Sequence, residues 1–324
     1  MVTVCFRLES LNNLQILANA LSCCQDFLSL AENLYLRGLL PMNQNTARLS
    51  PPMVLTFAAS DPSGGAGLQA DLMTIASMGC HPLSVTTALT VQDTVGVSSI
   101  LAIDADWVDD QARTLLEDMP VAAFKIGLLG SIENIVVIAE ILADYPGVPL
   151  VLDPVLASGR GDELADEEMV AGLRDLLLPL TTVLTPNTLE ARRLATTGDQ
   201  DEGQHPTLVD CAQRLLSSGC EYVLLTGTHD STPRVVNSLY GGPDGQLLRR
   251  DVWDRLPGSY HGSGCTLASA LAAQLAIGLP VSDATGAAQE YTWQALAAGF
   301  RAGMGQFLPD RFFRMHAADS VRDG

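Results

Sequence analysis

The stretch VLTFAASDPSGGAGLQADLMTIASMGCHPLSVTTALTVQ, residues 54–92, decides the fold. VLTFAA (54–59) is an apolar run of strand length, a glycine-rich turn follows, and 64–78 reads as a helix. LSVTTALTV (83–91) is a second strand. The alternation continues with helices expected over 107–118, 132–142, 166–178, 188–196 and 210–218, and strands over 122–129, 148–155, 181–187 and 221–227. VVNSLYG and QLLRRDVW should pair as a hairpin across GGPDG, and helices over 266–279 and 281–300 close the chain. Strands and helices alternating at this spacing give an α/β fold with a mainly parallel central sheet and helices on both faces. Ligands of such sheets bind beyond the carboxyl ends of the strands.

The chain has 324 residues, with 18 Lys+Arg against 37 Asp+Glu and a net charge of −19. That balance argues against a nucleic-acid partner, which needs a basic face to displace counterions, and against a polybasic membrane-surface protein. An apolar share of 47% supports a folded core. No apolar run reaches the length of a bilayer span. The cysteines (Cys5, Cys23, Cys24, Cys80, Cys211, Cys220 and Cys265) are odd in number, scattered, and without CxxC spacing. They read as reduced thiols in a cytoplasmic protein. Lys125 is the single lysine, and no GK[ST] exists, so a Walker-type phosphate loop is excluded.

Residues 1–50 differ from the rest. Leucines at loosely helical spacing fit a weak amphipathic helix, and no basic segment leads into a continuous apolar block, so no secretory signal is expected. The simplest reading is an N-terminal extension, with Met42 or Met53 as the natural start. One domain over 51–315 and a tail over 316–324 complete the division.

Four motifs carry candidate chemistry. Ser60-Asp61-Pro62-Ser63-Gly64-Gly65-Ala66-Gly67 lies between a strand and a helix, where glycines permit close backbone approach. Asp71 follows in the helix, and Gln92 follows the second strand. Asp153, in Val151-Leu152-Asp153-Pro154-Val155, ends a strand where a carboxylate can hold a metal or its waters. Asn187 and Glu190 share one face of a helix start, either as hard ligands for Mg2+ through water or as a capping box. The sharpest is His261-Gly262-Ser263-Gly264-Cys265-Thr266, small residues leading into an apolar helix. Amides converge there, the helix dipole favours an anion, and the same field is expected to promote a Cys265 thiolate.

Taken in order, SDPSGGAGLQADL (60–72), TALTVQDTVGV (87–97), FKIGLLGS (124–131), VLDPV (151–155), LTPNTLEA (184–191) and HGSGCTLASALA (261–272) resemble the ribokinase-like superfamily. The similarity is to its branch of bacterial hydroxymethylpyrimidine/phosphomethylpyrimidine kinases of thiamine biosynthesis, over roughly 54–300. The resemblance implies ATP- and Mg2+-dependent phosphorylation of an aminopyrimidine small molecule, and a homodimer. It implies a pyrimidine pocket with Gln92, Asp71, Gly65, Leu128 and Val155. Asn187 and Glu190 match the NxxE pattern that organises Mg2+–ATP, with Asp153 near the same phosphates. Gly262, Ser263, Gly264 and Cys265 match the anion hole, where sugar kinases of the superfamily carry GAGD with Asp as base. Cys265 would then assist the first of two phosphorylations more than the second, whose substrate already presents an anionic oxygen.

The chain departs from the family where Thr226 stands for a lysine facing ATP, where Arg160 follows the Asp-Pro strand instead of a lysine, and over 254–260 before the anion hole. A pyridoxal- or pyridoxine-type kinase and a non-catalytic pyrimidine-binding module are the alternatives.

Overall fold

The computed structural model describes residues 50–158, 161–196, 206–228, 232–242 and 244–320. The expected N-terminal helix and Arg160 lie outside the described residues. The chain divides into two units at Ser50/Pro51, and every described element belongs to the second.

The expected order of elements is observed. β1 (Met53–Ser60), α1 (Gly67–Ser77), β2 (His81–Gln92), α2 (Ala105–Asp118), β4 (Val121–Ile126), α3 (Ile132–Ala143) and β5 (Leu150–Leu152) alternate as the apolar runs imply, with one added strand, β3 (Val97–Ala102). They are followed by α4 (Glu167–Gly172), β6 (Val183–Leu184), α5 (Thr188–Ala195), α6 (Leu208–Ser217), β7 (Tyr222–Leu225), β8 (Arg234–Gly241) and β9 (Gln246–Asp254). α7 (Ser263–Ala276), α8 (Val281–Ala297) and α9 (Phe313–Ser320) end the described chain. The nine strands form one sheet in the order β3-β2-β1-β4-β5-β6-β7-β8-β9. The run from β2 to β7 is parallel, while β3, β8 and β9 are antiparallel edges.

Alternation along β1 explains the two cores. Leu55 and Phe57 face a cluster with Ile135, Ile138 and Ile141 of α3, whereas Val54 faces Ala268, Leu271 and Ala272 of α7 and Tyr291 of α8. Helix α7 is buried nearly all round and is built largely of alanine and leucine. Small side chains there let it lie close over the sheet.

Two local expectations fail for identifiable reasons. β3 has no counterpart in the sequence pattern: VSSILA carries two serines after a turn, and its outward residues leave no apolar run to read. The helix expected over 166–178 is α-helical only to Gly172, passes through a π turn at Leu173–Leu177, and ends in a 3-10 turn at Leu178–Leu180 that contains Pro179. Proline removes a donor and stops regular helix there. A side chain at Gly172 would collide with Ile132. α9 continues across the expected boundary at 315/316.

The parallel run places Ser60, Gln92, Ile126, Leu152, Leu184 and Leu225 at one edge of the sheet. Every motif of the sequence lies on the loops leaving that edge or, for 261–266, on the loop entering α7.

Candidate active site

α7 begins at Ser263 with no side-chain cap. Its N-cap, Gly262, has φ +78°, a conformation that disfavours a side chain. A Cβ there would also run into the Gly65 carbonyl. Glycine is thus required twice over, by backbone conformation and by backbone contact with the first glycine-rich turn. Among the described residues no acceptor engages the amides of Ser263, Gly264 or Cys265. Three donors at a helix start, together with the dipole, are chemically able to hold an anion.

The preceding residue ties this site to the first motif. His261 Nε2 lies 2.9 Å from Asp61 Oδ2 and 3.2 Å from the Gln92 amide. Asp61 also accepts from the Ser63 and Ala66 amides and the Ser63 hydroxyl. Burial pushes its carboxyl up, but these bonds outweigh burial and hold it at about 2. An ionised Asp61 can only accept, so His261 Nε2 carries a proton. That proton is spent on Asp61, so the Gln92 amide beside it keeps its hydrogen-bonding capacity for a ligand.

Cys265 differs from the expectation. Burial pushes its thiol up to about 12, and Asp153 and Asp71 add to this; Lys125 and the Gly67 amide, which donates to the sulfur, offset only part. The helix field therefore does not make a thiolate. The thiol donates to Asp153, whose carboxyl is raised to about 6 by burial against the opposing pull of Lys125. Gly264 faces the same carboxylate.

Asp71 and Gly65, expected on the pyrimidine side, are both buried. Asp71 is fully buried and accepts from Thr56 (2.8 Å), Lys125 (2.8 Å) and Ser269 (2.7 Å). It pins β1, β4 and α7 together. Gly65 is buried beneath the His261 ring and Leu308, its amide donating to Ser63 and its carbonyl accepting from Arg311. Neither presents a polar atom to a ligand. Lys125, which no motif marks as a site residue, lies fully buried on the Asp71 carboxylate. A charge inside a strand buried on both faces needs a partner, and that was the signal available in the sequence.

On the other flank, Asn187 and Glu190 form the capping box. Asn187 Oδ1 accepts from the Leu189 and Glu190 amides, and Glu190 Oε2 accepts from the Asn187 amide. Burial, reinforced by the charge of Asp153, raises Glu190 to about 8. Two buried carboxyls that are costly to ionise together fit a hydrated divalent cation, which would supply the missing positive charge, while no cluster of three acidic, His or Cys ligands exists among the described residues. Thr226 lies beside Asn187, buried, its amide 3.0 Å from the Pro186 carbonyl. Leu128 and Val155 line one small cavity of about 10 Å³, room for at most one water.

Residues 61–310 match the family model described as phosphomethylpyrimidine kinase. A hydroxymethylpyrimidine/phosphomethylpyrimidine kinase of Streptomyces coelicolor is 40% identical, over 82% of this chain and 96% of that protein. The thiamine biosynthesis bifunctional protein ThiED of Geobacter sulfurreducens is also 40% identical, over 83% of this chain but 54% of that longer protein. Among solved structures, pyridoxal kinase from Staphylococcus aureus in complex with ADP aligns with TM-score 0.72 at 29% identity, over 82% of this chain and 94% of that one. Phosphomethylpyrimidine kinase from Clostridium difficile aligns with TM-score 0.64 at 33% identity, over 76% and 99%.

Two outcomes follow from the charges. Asp71→Asn leaves the Lys125 ammonium without its counter-charge and should cost roughly 3–5 kcal/mol in urea unfolding. Lys125→Met added to it should cost less than the two single losses summed, and strict additivity would contradict the pairing. Asp61 stabilises the fold fully above its ordinary value of 3.8, and this is lost as pH falls through about 2. Asp61→Asn should therefore remove roughly 2 kcal/mol of the stability change between about pH 4 and pH 2, read by thermal melts across that window.

Proposed function

The chain belongs to the phosphomethylpyrimidine kinase family, and on that premise we propose that it transfers the γ-phosphoryl group of ATP to 4-amino-5-hydroxymethyl-2-methylpyrimidine and then to the monophosphate so formed. The observation that carries the reading is the set of unengaged amides at Ser263, Gly264 and Cys265, which begins two residues beyond the histidine that lies against Gln92. An anion hole and a ring-reading amide are thereby joined at a single crevice. The amides stabilise charge on the migrating phosphoryl group, and little covalent work falls to the protein.

Gln92 reads the ring with its outward NH2 as donor to a ring nitrogen. Its oxygen is an acceptor for the exocyclic amine. This supports an aminopyrimidine over a ring lacking that donor–acceptor edge. In the first step the hydroxymethyl oxygen attacks phosphorus and loses its proton to the Cys265 sulfur, as the thiol passes its own proton to Asp153. The carboxylate ends protonated, and the O–P bond forms as the ADP leaving bond breaks. In the second step the acceptor is already an anion, so the relay is less needed. A neutral thiol also repels that anion less than a fixed carboxylate would.

Glu190 and Asp153 would hold Mg2+ through water, and the ion would neutralise charge on the nucleotide phosphates. Asn187 and Thr226, neighbours on the same flank, are assigned to the nucleotide side. No described helix is long and apolar enough to cross a membrane, and free thiols at Cys80 and Cys220 fit a cytoplasmic setting. Exposed Leu89, Val91 and Leu101 on the β2–β3 face support a homodimer.

With ATP and Mg2+, the purified protein should convert the free pyrimidine to its monophosphate and then its diphosphate, followed by 31P NMR. Acceptance of pyridoxal with no turnover of the pyrimidine would remove the substrate assignment. Cys265→Ala should slow the first step by about 100-fold or more, as expected for loss of a proton acceptor, and the second by less than about tenfold. Equal losses in both steps would exclude the relay.

A further inference from the structure

Arg311 lies one residue beyond the family match and just before α9. It is 3% exposed, yet among the described residues no carboxylate lies within ion-pair distance of it. Its guanidinium is spent on neutral acceptors. Nη2 donates to the Gly65 carbonyl at 2.6 Å, Nη1 to the Gly64 carbonyl at 3.4 Å, and Nε to the Thr266 hydroxyl at 3.1 Å. Thr266 in turn donates to the Gly262 carbonyl at 2.8 Å.

These bonds converge on one residue from two sides. Gly262, the N-cap of α7, rests against the Gly65 carbonyl that Arg311 holds, and its own carbonyl is held by the threonine that Arg311 also holds. A buried cation without a directly paired carboxylate is costly, and an anion arriving nearby would offset part of that cost. We propose that Arg311 is the positioning residue of the anion hole. Its planar fork fixes the peptides of Gly65 and Gly262 relative to each other, and its charge behind the start of α7, met by Asp61 and Asp71 only beyond ion-pair distance, adds to the field felt by an arriving phosphoryl group. Arginine suits the task because three directed bonds leave one rigid group, an arrangement an ammonium does not reproduce.

The segment that carries Arg311 is itself fastened to the site. Gln306 donates from its amide to the Thr94 carbonyl, two residues past Gln92, and the His261 amide donates to the Phe307 carbonyl. Residues 305–311 thus touch the ring-reading side, the anion hole and the first glycine turn in succession.

The inference rests on the kinase reading, and its test separates the two: absence of turnover by the unaltered protein defeats that reading alone, while the variant-to-parent ratio tests Arg311. Arg311→Gln should lower kcat at least about tenfold with KM for the pyrimidine within about threefold, because misplaced amides act on the migrating group and not on ring binding. Arg311→Lys, which keeps the charge and loses the fork, should regain only part of that loss. A folded Arg311→Gln protein with kcat within about twofold of the parent, a loss carried by KM for the pyrimidine, or full restoration by lysine would each overturn the proposal. If Arg311→Gln does not fold, Thr266→Val decides. It removes the hydroxyl between Arg311 and Gly262, and should produce the same kcat-selective loss in a protein that still folds, with a lowered thermal midpoint because a buried guanidinium N–H loses its acceptor; unaltered kcat there also overturns the proposal.

Discussion

The site depends on one backbone contact, the Gly65 carbonyl against the α carbon of Gly262. Two loops separated by most of the domain meet there with no side chain between them. Any Cβ at Gly262 would push them apart, and the left-handed backbone at that position would resist it as well. Because the loops touch, His261 can reach both Asp61 and Gln92, and the start of α7 opens toward Asp153. Remove the contact and the same residues would still lie on the same loops, without acting on one substrate.

Charge is arranged in depth behind that contact. Lys125 and Asp71 are sealed in the core, Asp153 and the Cys265 thiol lie above them, and Glu190 closes the far flank. The buried carboxyls of Asp153 and Glu190 are raised by desolvation and, at Glu190, by the charge of Asp153, which makes this flank receptive to a cation. On the side of Asp61 the balance is opposite: hydrogen bonds overcome desolvation and fix a permanent anion whose function is to hold a histidine. The two carboxylate populations differ because one is surrounded by donors and the other largely by apolar atoms and like charge.

Much of this was legible in the sequence. Apolar runs bracketed by glycine and proline mark the alternation, and the strand ends that carry Gln92, Asp153 and Asn187 come to one edge, as parallel pairing requires. β3 escapes because serines interrupt its pattern. The depth of Asp71 is not legible in its motif, because it depends on Ser269, 198 residues away, and no local pattern encodes that distance. The expected thiolate fails because a dipole argument counts the helix end and not the atoms that exclude water from it. Arg311 offers no motif at all; its meaning lies in three acceptors on two other loops.

The fastening of residues 305–311 has a consequence for biosynthesis. Sheet and helices through α8 precede that segment in the chain, so their contacts become available to a nascent polypeptide first. The crevice acquires its final clasp only when the last stretch has emerged from the ribosome. Translation therefore delivers a largely built scaffold before a competent enzyme, and a prematurely stopped product would bury most of its core while lacking the bolt that aligns its loops.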